Sequence, residues 1–230
     1  MLITEEMPQS ISAEAYRTLR TKIKYYSIDK PIKSIVITAA EKSEGKSTVS
    51  GNLAFSLSQD GEKVMIIDCD LRKPSLHKKF DVDNTKGLTD YLINKYSLNE
   101  VTKKISNKLS LITSGPIPPN PAEVLGSNKL YNLIEELAGT YDYILIDTPP
   151  IRAVADAEIL AAKSDATLIV VRAGKTKSKS IYTAYTELIK VKANVIGTIL
   201  NEADSDSNMS YSNYHIEKDR GRLKKLISKK

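Results

Sequence analysis

The chain has 230 residues, with 34 lysines and arginines against 28 aspartates and glutamates, 41% hydrophobic and 27% charged side chains, and a single cysteine. These proportions are those of a globular protein and exclude disordered, collagen-like and disulfide-scaffold classes, while the length predicts one α/β domain with appendages. Cys69 has no partner for an intramolecular disulfide. With only His77 and His215 beside it, a structural zinc site of four Cys and His ligands cannot be assembled.

Most of the net charge of +6 sits at the end of the chain. Positions 217–230 hold seven basic residues (Lys218, Arg220, Arg222, Lys224, Lys225, Lys229, Lys230) against Glu217 and Asp219. The rest of the chain is close to neutral, which argues against a basic nucleic-acid-binding face and predicts no nucleic-acid partner. No apolar run approaches the ~18 residues of a membrane-spanning helix, and the opening MLITEEMPQS lacks the basic-then-apolar order of a signal peptide, so a cytoplasmic location is expected.

Along the chain, residues 12–26 read as a helix. Then come strand 33–39 (KSIVITA), an amphipathic helix at 46–59 ended by Asp60-Gly61, and strand 63–68 (KVMIID). Helices are predicted at 87–93 and at 97–105, the latter opened by a capping box of Ser97 and Glu100. A strand at 109–113 (LSLIT) leads into the proline-rich SGPIPPNPAE at 114–123, read as a rigid loop. Helix 127–138, strand 141–147 (YDYILID), helix 155–163, strand 165–171 (DATLIVV), helix 178–192 and strand 194–200 (NVIGTIL) follow. Apolar runs this continuous suit strands covered on both faces, and their alternation with helices predicts a doubly wound, mostly parallel sheet in a three-layer α/β/α sandwich. The expected division is an arm at 1–30, the main domain at 31–203 and a mobile tail at 204–230.

The strongest chemical signal is EGKST at 44–48, directly between the first long strand and its helix. In that context Glu44, Gly45, Lys46, Ser47 and Thr48 read as a phosphate-binding loop. Backbone N–H groups face the phosphates, Lys46 reaches the outer ones and the Ser47 hydroxyl is a Mg²⁺ ligand. Ala40 and Ser43 depart from the glycines such loops carry. Two further apolar strands stop on carboxylates, Asp68 with Asp70 in IIDCDLRKP and Asp147 in ILIDTPP, which places acids at the carboxyl edge of the sheet where ligands bind. Asp147 reads as the Walker B aspartate. Arg72 suits either a phosphate or a neighbouring acid. Asn201, ending the last strand, suits either a purine contact or a plain turn.

Together AAEKSEGKST, VMIIDCDLRKP and YILIDTPP, with the proline-rich segment between the last two, resemble the bacterial tyrosine kinases (BY-kinases) of capsular and exopolysaccharide operons. The resemblance runs from Ser12 to Asn201. It implies a P-loop NTPase fold like that of partition ATPases, with ATP and Mg²⁺ as cofactors and Lys46, Asp68, Asp70 and Asp147 as the catalytic set. Ser47, Asp68 and Asp147 would be disposed toward the metal, Asp68 and Asp70 being the Walker A′ pair. Asn201 would contact the purine.

The resemblance also makes Glu14, Arg17 and Arg20 an E-x-x-R-x-x-R motif through which copies assemble into rings and present a tail tyrosine to a neighbour. The bland reading of the same residues is an exposed helix with an internal ion pair. Tyr211 and Tyr214 are the tail's candidate phosphoacceptors, where the family carries longer tyrosine runs. The implied partners are a transmembrane adaptor of the chain-length-regulator type that activates the kinase at the inner face of the plasma membrane, a tyrosine phosphatase, and protein substrates of polysaccharide metabolism. In the terminal DRGRLKKLISKK, Leu223, Leu226 and Ile227 share one helical face amid lysines, as in an interfacial helix or a solvated basic tail. The alternative function is a partition-type switch ATPase, which would carry an extra lysine where this chain has Glu41, or a nucleotide-binding scaffold.

Overall fold

A computed structural model describes residues 2–28 and 31–203. The expectations for Tyr211, Tyr214 and the basic terminal segment lie outside the described residues. The N-terminal part contributes α1 (Ile3–Glu6) and α2 (Ile11–Tyr26). The sheet strands are β1 (Ser34–Ala39), β2 (Val64–Asp68), β3 (Thr102–Lys104), β4 (Leu109–Ile112), β5 (Tyr143–Asp147), β6 (Ala166–Arg172) and β7 (Val195–Asn201). Their order is β3-β4-β2-β5-β1-β6-β7. All neighbours are parallel except β3 and β4. The helices between them are α3 (Lys46–Gln59), α4 (Leu76–Lys79), α5 (Leu88–Leu92), α6 (Leu98–Val101), α7 (Pro121–Leu125), α8 (Asn128–Ala138), α9 (Asp156–Ala161) and α10 (Ser178–Lys190).

Alternation along the central strands separates two apolar layers. Val36, Met65, Ile67, Ile144 and Ile146 pack on one face with leucines of α8, α9 and α10, while Ile35, Ile37, Ile66 and Leu145 pack on the other with Val49, Leu53 and Leu57 of α3 and Ile23 of α2. β1 lies where the winding reverses, with β5 and β2 on one side and β6 on the other. In open α/β sheets, the crevice at the carboxyl ends beside such a strand is where ligands bind.

Three local expectations need correction. The predicted helix at 97–105 is one turn only, Leu98–Val101, after which Thr102–Lys104 pairs antiparallel with β4. The capping box is present, with the Ser97 N–H donating to Glu100 Oε2 at 2.9 Å, but local capping cannot outweigh the free edge of β4. The proline-rich loop also ends earlier than predicted, because Pro121 starts α7 at its first position, where the missing N–H costs nothing.

The third correction concerns α3, which is buried nearly all round rather than amphipathic, with Ser50, Asn52 and Ser56 as well as its apolar residues enclosed. The sheet covers one side. On another, Thr4 of α1 donates through both its N–H and its hydroxyl to Asn52 Oδ1 at 3.0 Å. A helix enclosed on all sides holds its N-terminus, and the phosphate-binding loop before it, in a fixed place.

Candidate active site

The site is assembled from the carboxyl ends of β1, β2, β5, β6 and β7. Gly45 precedes α3 at φ +91°, a left-handed conformation, and a Cβ there would lie 2.0 Å from Asn201 Nδ2. That amide donates to the Glu44 carbonyl at 3.0 Å. Glycine is therefore required both by the turn and by the close approach of the last strand. Ser43 takes a left-handed φ of +61° without being glycine, a strain of roughly 1–3 kcal/mol for a non-glycine residue. Its carbonyl accepts from Arg172 Nη1 at 3.4 Å. Ala40 is fully enclosed, its methyl packed in the core beneath the loop.

Glu44 was expected to bind the cofactor, yet its carboxylate faces inward. It accepts from the Glu41 N–H at 3.0 Å and from the Thr176 hydroxyl. What it offers the crevice is backbone, while its side chain braces the loop against the start of α10. Thr48 likewise works through its carbonyl, which accepts from Asn52 Nδ2 at 2.8 Å.

Lys46 is buried to 8% exposure, with Nζ 3.9 Å from Asp70 Oδ2. Asp70 also accepts from the Lys73 N–H at 3.1 Å. Its pKa is raised by burial and held back by Lys46. Register pairs Asp68 directly with Asp147. Asp68 Oδ2 accepts from the N–H groups of Ser75 and Leu76, both at 3.0 Å, and so caps α4 from outside the helix. Its Oδ1 accepts from the Asp70 N–H at 3.2 Å. Asp147 Oδ1 accepts from the Ser50 hydroxyl at 2.9 Å.

The other oxygen of Asp147, Oδ2, is buried with no hydrogen-bond partner among the described residues. A buried carboxylate oxygen left without a donor is an unmet acceptor, of the kind a cation or a water molecule can satisfy. Burial raises the pKa of both acids. For Asp68 the neighbouring Asp147 adds to the rise, whereas for Asp147 the nearby Lys46 ammonium and the Ser47 and Ser50 hydroxyls oppose it. No group of three or more His, Cys, Asp or Glu among the described residues is arranged to hold a metal alone. Ser47 and the two strand-terminal carboxylates offer a few oxygen donors of the kind that Mg²⁺ takes beside phosphate oxygens and water. The residues therefore fit both a nucleotide phosphate chain and its Mg²⁺.

Arg72, whose partner the sequence left open, pairs with an acid. Nε and Nη2 contact the two oxygens of fully buried Asp156 at 3.0 and 3.3 Å. Burial also pushes the Cys69 thiol well up, which suppresses thiolate chemistry there. Glu14, Arg17 and Arg20 lie on α2, outside this crevice, and have different partners within the chain. Arg17 pairs with Glu14 at 2.5 Å and donates to the Pro8 carbonyl, whereas Arg20 reaches α3, donating to the Ser56 carbonyl at 2.8 Å and pairing with Asp60 at 3.1 Å.

Sequence reasoning missed Ser50, Asp156, Arg172 and Thr176. Two of these had a visible signal: Ser50 is one helical turn after Lys46, and Arg172 ends an apolar strand as Asp68 and Asp147 do.

Known proteins resemble this chain over most of its length. Residues 32–202 match the AAA domain family. The tyrosine-protein kinase YwqD of Bacillus subtilis (strain 168) is 43% identical over 208 residues, covering 90% of this chain and 88% of that protein. The putative tyrosine-protein kinase CapB of Staphylococcus aureus is 37% identical over 217 residues, covering 94% and 95%. The solved kinase domain of the Escherichia coli tyrosine kinase ETK superposes with a TM-score of 0.85 at 34% identity, over 87% of this chain and 79% of that one. This chain spans 28% of the length of the full E. coli tyrosine-protein kinase etk. Motif placement, sheet order and these likenesses agree: the chain belongs to the bacterial tyrosine-protein kinases, built on a P-loop domain of the AAA family.

Proposed function

We propose that this chain transfers the γ-phosphate of Mg·ATP to tyrosine hydroxyls, first to Tyr211 and Tyr214 of a neighbouring copy and then to proteins of polysaccharide metabolism. The observation that carries the reading is the convergence of Lys46, Asp70, Asp68 and Asp147 on one crevice beside the phosphate-binding loop. Phosphoryl transfer asks mainly for positioning and charge neutralisation, and these residues supply both.

In this reading, backbone N–H groups of residues 44–48 and the Lys46 ammonium hold the phosphates. Ser47 would hold the metal, with Asp147, whose Oδ2 has no partner among the described residues, and Asp68, whose oxygens already accept backbone N–H groups, disposed toward it. When bound, Mg²⁺ neutralises charge on the transferring phosphate. Asp70 is the candidate base. Its pKa is raised by burial, which suits it to take the proton of a tyrosine hydroxyl as the oxygen bonds to phosphorus and the bond to the departing diphosphate breaks. Asn201 Oδ1 is available to accept from the exocyclic amine of adenine, since the amide nitrogen is engaged by Glu44.

The wider setting belongs to the same proposal. Exposed Glu14 and Arg17 support ring assembly through α2, with Arg20 holding that helix in place. No helix among the described residues is long and apolar enough to cross a membrane. A transmembrane adaptor that recruits and activates this chain at the inner membrane face belongs to the same reading. A phosphatase would reset the tyrosines, and the cycle would regulate capsule or exopolysaccharide synthesis and export.

The test is site-resolved phosphotyrosine mass spectrometry on the protein from its own growing cells, beside a Lys46→Met variant. The reading requires phosphate on Tyr211 or Tyr214 that disappears with Lys46→Met. An unmodified tail on a protein that binds ATP would refute it.

A further inference from the structure

A cluster of three side chains at the rim of the crevice has no part in the chemistry above. Glu41 stands at the start of the phosphate-binding loop, Arg152 in the segment between β5 and α9, and Ser180 in the first turn of α10. Arg152 Nη1 pairs with Glu41 Oε1 and donates to the Ser180 hydroxyl at 3.1 Å, and that hydroxyl donates to Glu41 Oε1 at 3.0 Å. A carboxylate at the mouth of a site for a polyanion repels its ligand, so the guanidinium beside it matters electrostatically.

Two observations separate Arg152 from an ordinary surface ion pair. First, the segment carrying it is fastened to β1. The Thr148 N–H donates to the Ile37 carbonyl at 3.2 Å and the Ile151 N–H to the Ala39 carbonyl at 2.9 Å. The backbone of Arg152 therefore stays beside the loop whichever partner its side chain takes. Second, Arg152 uses a single nitrogen, Nη1. Its Nε and Nη2 make no hydrogen bond among the described residues, and the side chain is 47% exposed. Arg72 is committed at two nitrogens to buried Asp156, and Arg172 engages the Ser43 carbonyl and Glu202 through Nη1 and Nη2, its Nε being enclosed with no partner among the described residues. Arg152 thus presents an exposed fork of donors at this rim, Nε with Nη2, the geometry that recognises a phosphate oxygen pair better than one carboxylate oxygen.

We propose that Arg152 is a phosphate-binding residue supplied in cis, held by Glu41 while the site is empty and transferred to the terminal phosphate of the bound nucleoside triphosphate, so that it distinguishes ATP from ADP. This rests on the nucleotide-binding reading above and adds to it a residue that reads the terminal phosphate. Glu41 is the competing anion: neutralising it frees the guanidinium and removes a repulsive charge at once. Moving Arg152 to the nucleotide also releases Ser180, which links the triphosphate-bound state to the first turn of α10.

The test uses the full chain with Mg²⁺ and measures ATP and ADP binding by calorimetry, together with the phosphotyrosine rate, for the wild type, Arg152→Ala, Arg152→Lys, Glu41→Gln and Glu41→Gln/Arg152→Ala. Arg152→Ala is expected to weaken ATP about tenfold, equivalent to about 1.4 kcal/mol, while leaving ADP within about twofold. Arg152→Lys retains part of the preference. Glu41→Gln tightens ATP, and removing Arg152 in that background still weakens it.

Equal losses for ATP and ADP, or an Arg152→Ala effect that vanishes once Glu41 is neutral, would reduce the cluster to a structural latch and overturn the inference. Because Arg152→Lys keeps the charge and Glu41→Gln keeps the shape, a variant that fails to fold does not decide the matter. If the wild type binds no ATP, or if Lys46→Met binds it undiminished, the nucleotide site itself is misread. If Lys46→Met abolishes binding and Arg152→Ala changes nothing, only the present inference falls.

Discussion

Asp68 and Asp147 stand side by side on neighbouring parallel strands, paired in register at the carboxyl edge of the sheet, and both are fully buried. Two carboxylates so placed cannot both carry charge cheaply without a cation between or beside them. Burial, then Asp147, pushes Asp68 up to about 8, against the lowering effect of the Ser75 and Leu76 N–H groups. Folding of the nucleotide-free protein thus retains a proton that the unfolded chain releases above about pH 4. Its stability should fall as pH rises from about 4 toward about 8 and then level off. Denaturant midpoints across that range, compared with a flatter profile for Asp147→Asn, check this. Mg·ATP competes with the same proton, so its stabilising effect should grow over the same range.

Gly45→Ala should weaken nucleotide binding. The added methyl meets the Asn201 amide at 2.0 Å in a backbone conformation that alanine adopts only under strain. A loss of at least about tenfold in ATP affinity is expected from displacement of the loop, Asn201 or both. Calorimetric titration with ATP provides the measurement, and circular dichroism should show an unchanged secondary structure.

Arg72→Ala leaves the Asp156 carboxylate buried without its partner. Because the Arg72 side chain is 42% exposed, water relieves part of the cost, and about 1–3 kcal/mol of stability should be lost. Asp156→Asn, which keeps the shape and removes the buried charge, should lose less. If the two variants melt alike, the pair does not organise the segment following Asp70.

Arg17 and Arg20 should separate experimentally although one motif contains both. Arg20→Ala strips contacts from the Ser56 carbonyl and from Asp60, so α2 loosens and the melting temperature falls by several degrees, about 1 kcal/mol in a domain of this size. Arg17→Ala removes an exposed i,i+3 pair and an exposed hydrogen bond to the Pro8 carbonyl, both worth little to folding in water, and lowers the melting temperature less than Arg20→Ala does. If copies associate through this helix, Arg17→Ala should still change the sedimentation profile.

The chain order of strands and helices, the phosphate-binding loop and the strand-terminal aspartates were readable from residue order alone, because each is a local signal. Apolar runs of four to seven residues state their own burial, Gly-Lys-Ser between strand and helix states its own turn, and an acid after such a run is carried to the sheet edge by strand geometry. Tertiary structure decided what depends on register and on choices between partners. Arg72 could have met a phosphate or an acid, and the position of α9 gave it Asp156. Glu44 belongs to the loop motif, yet Thr176 and the Glu41 N–H draw its carboxylate away from the crevice. Thr102–Lys104 were expected to be helical and became a strand because β4 offers an unpaired edge, a long-range demand that overrides weak local preference. Arg20 shares a helix with Arg17 but points at α3, a difference that helical spacing does not encode, because which side faces the domain is settled only when the helix docks.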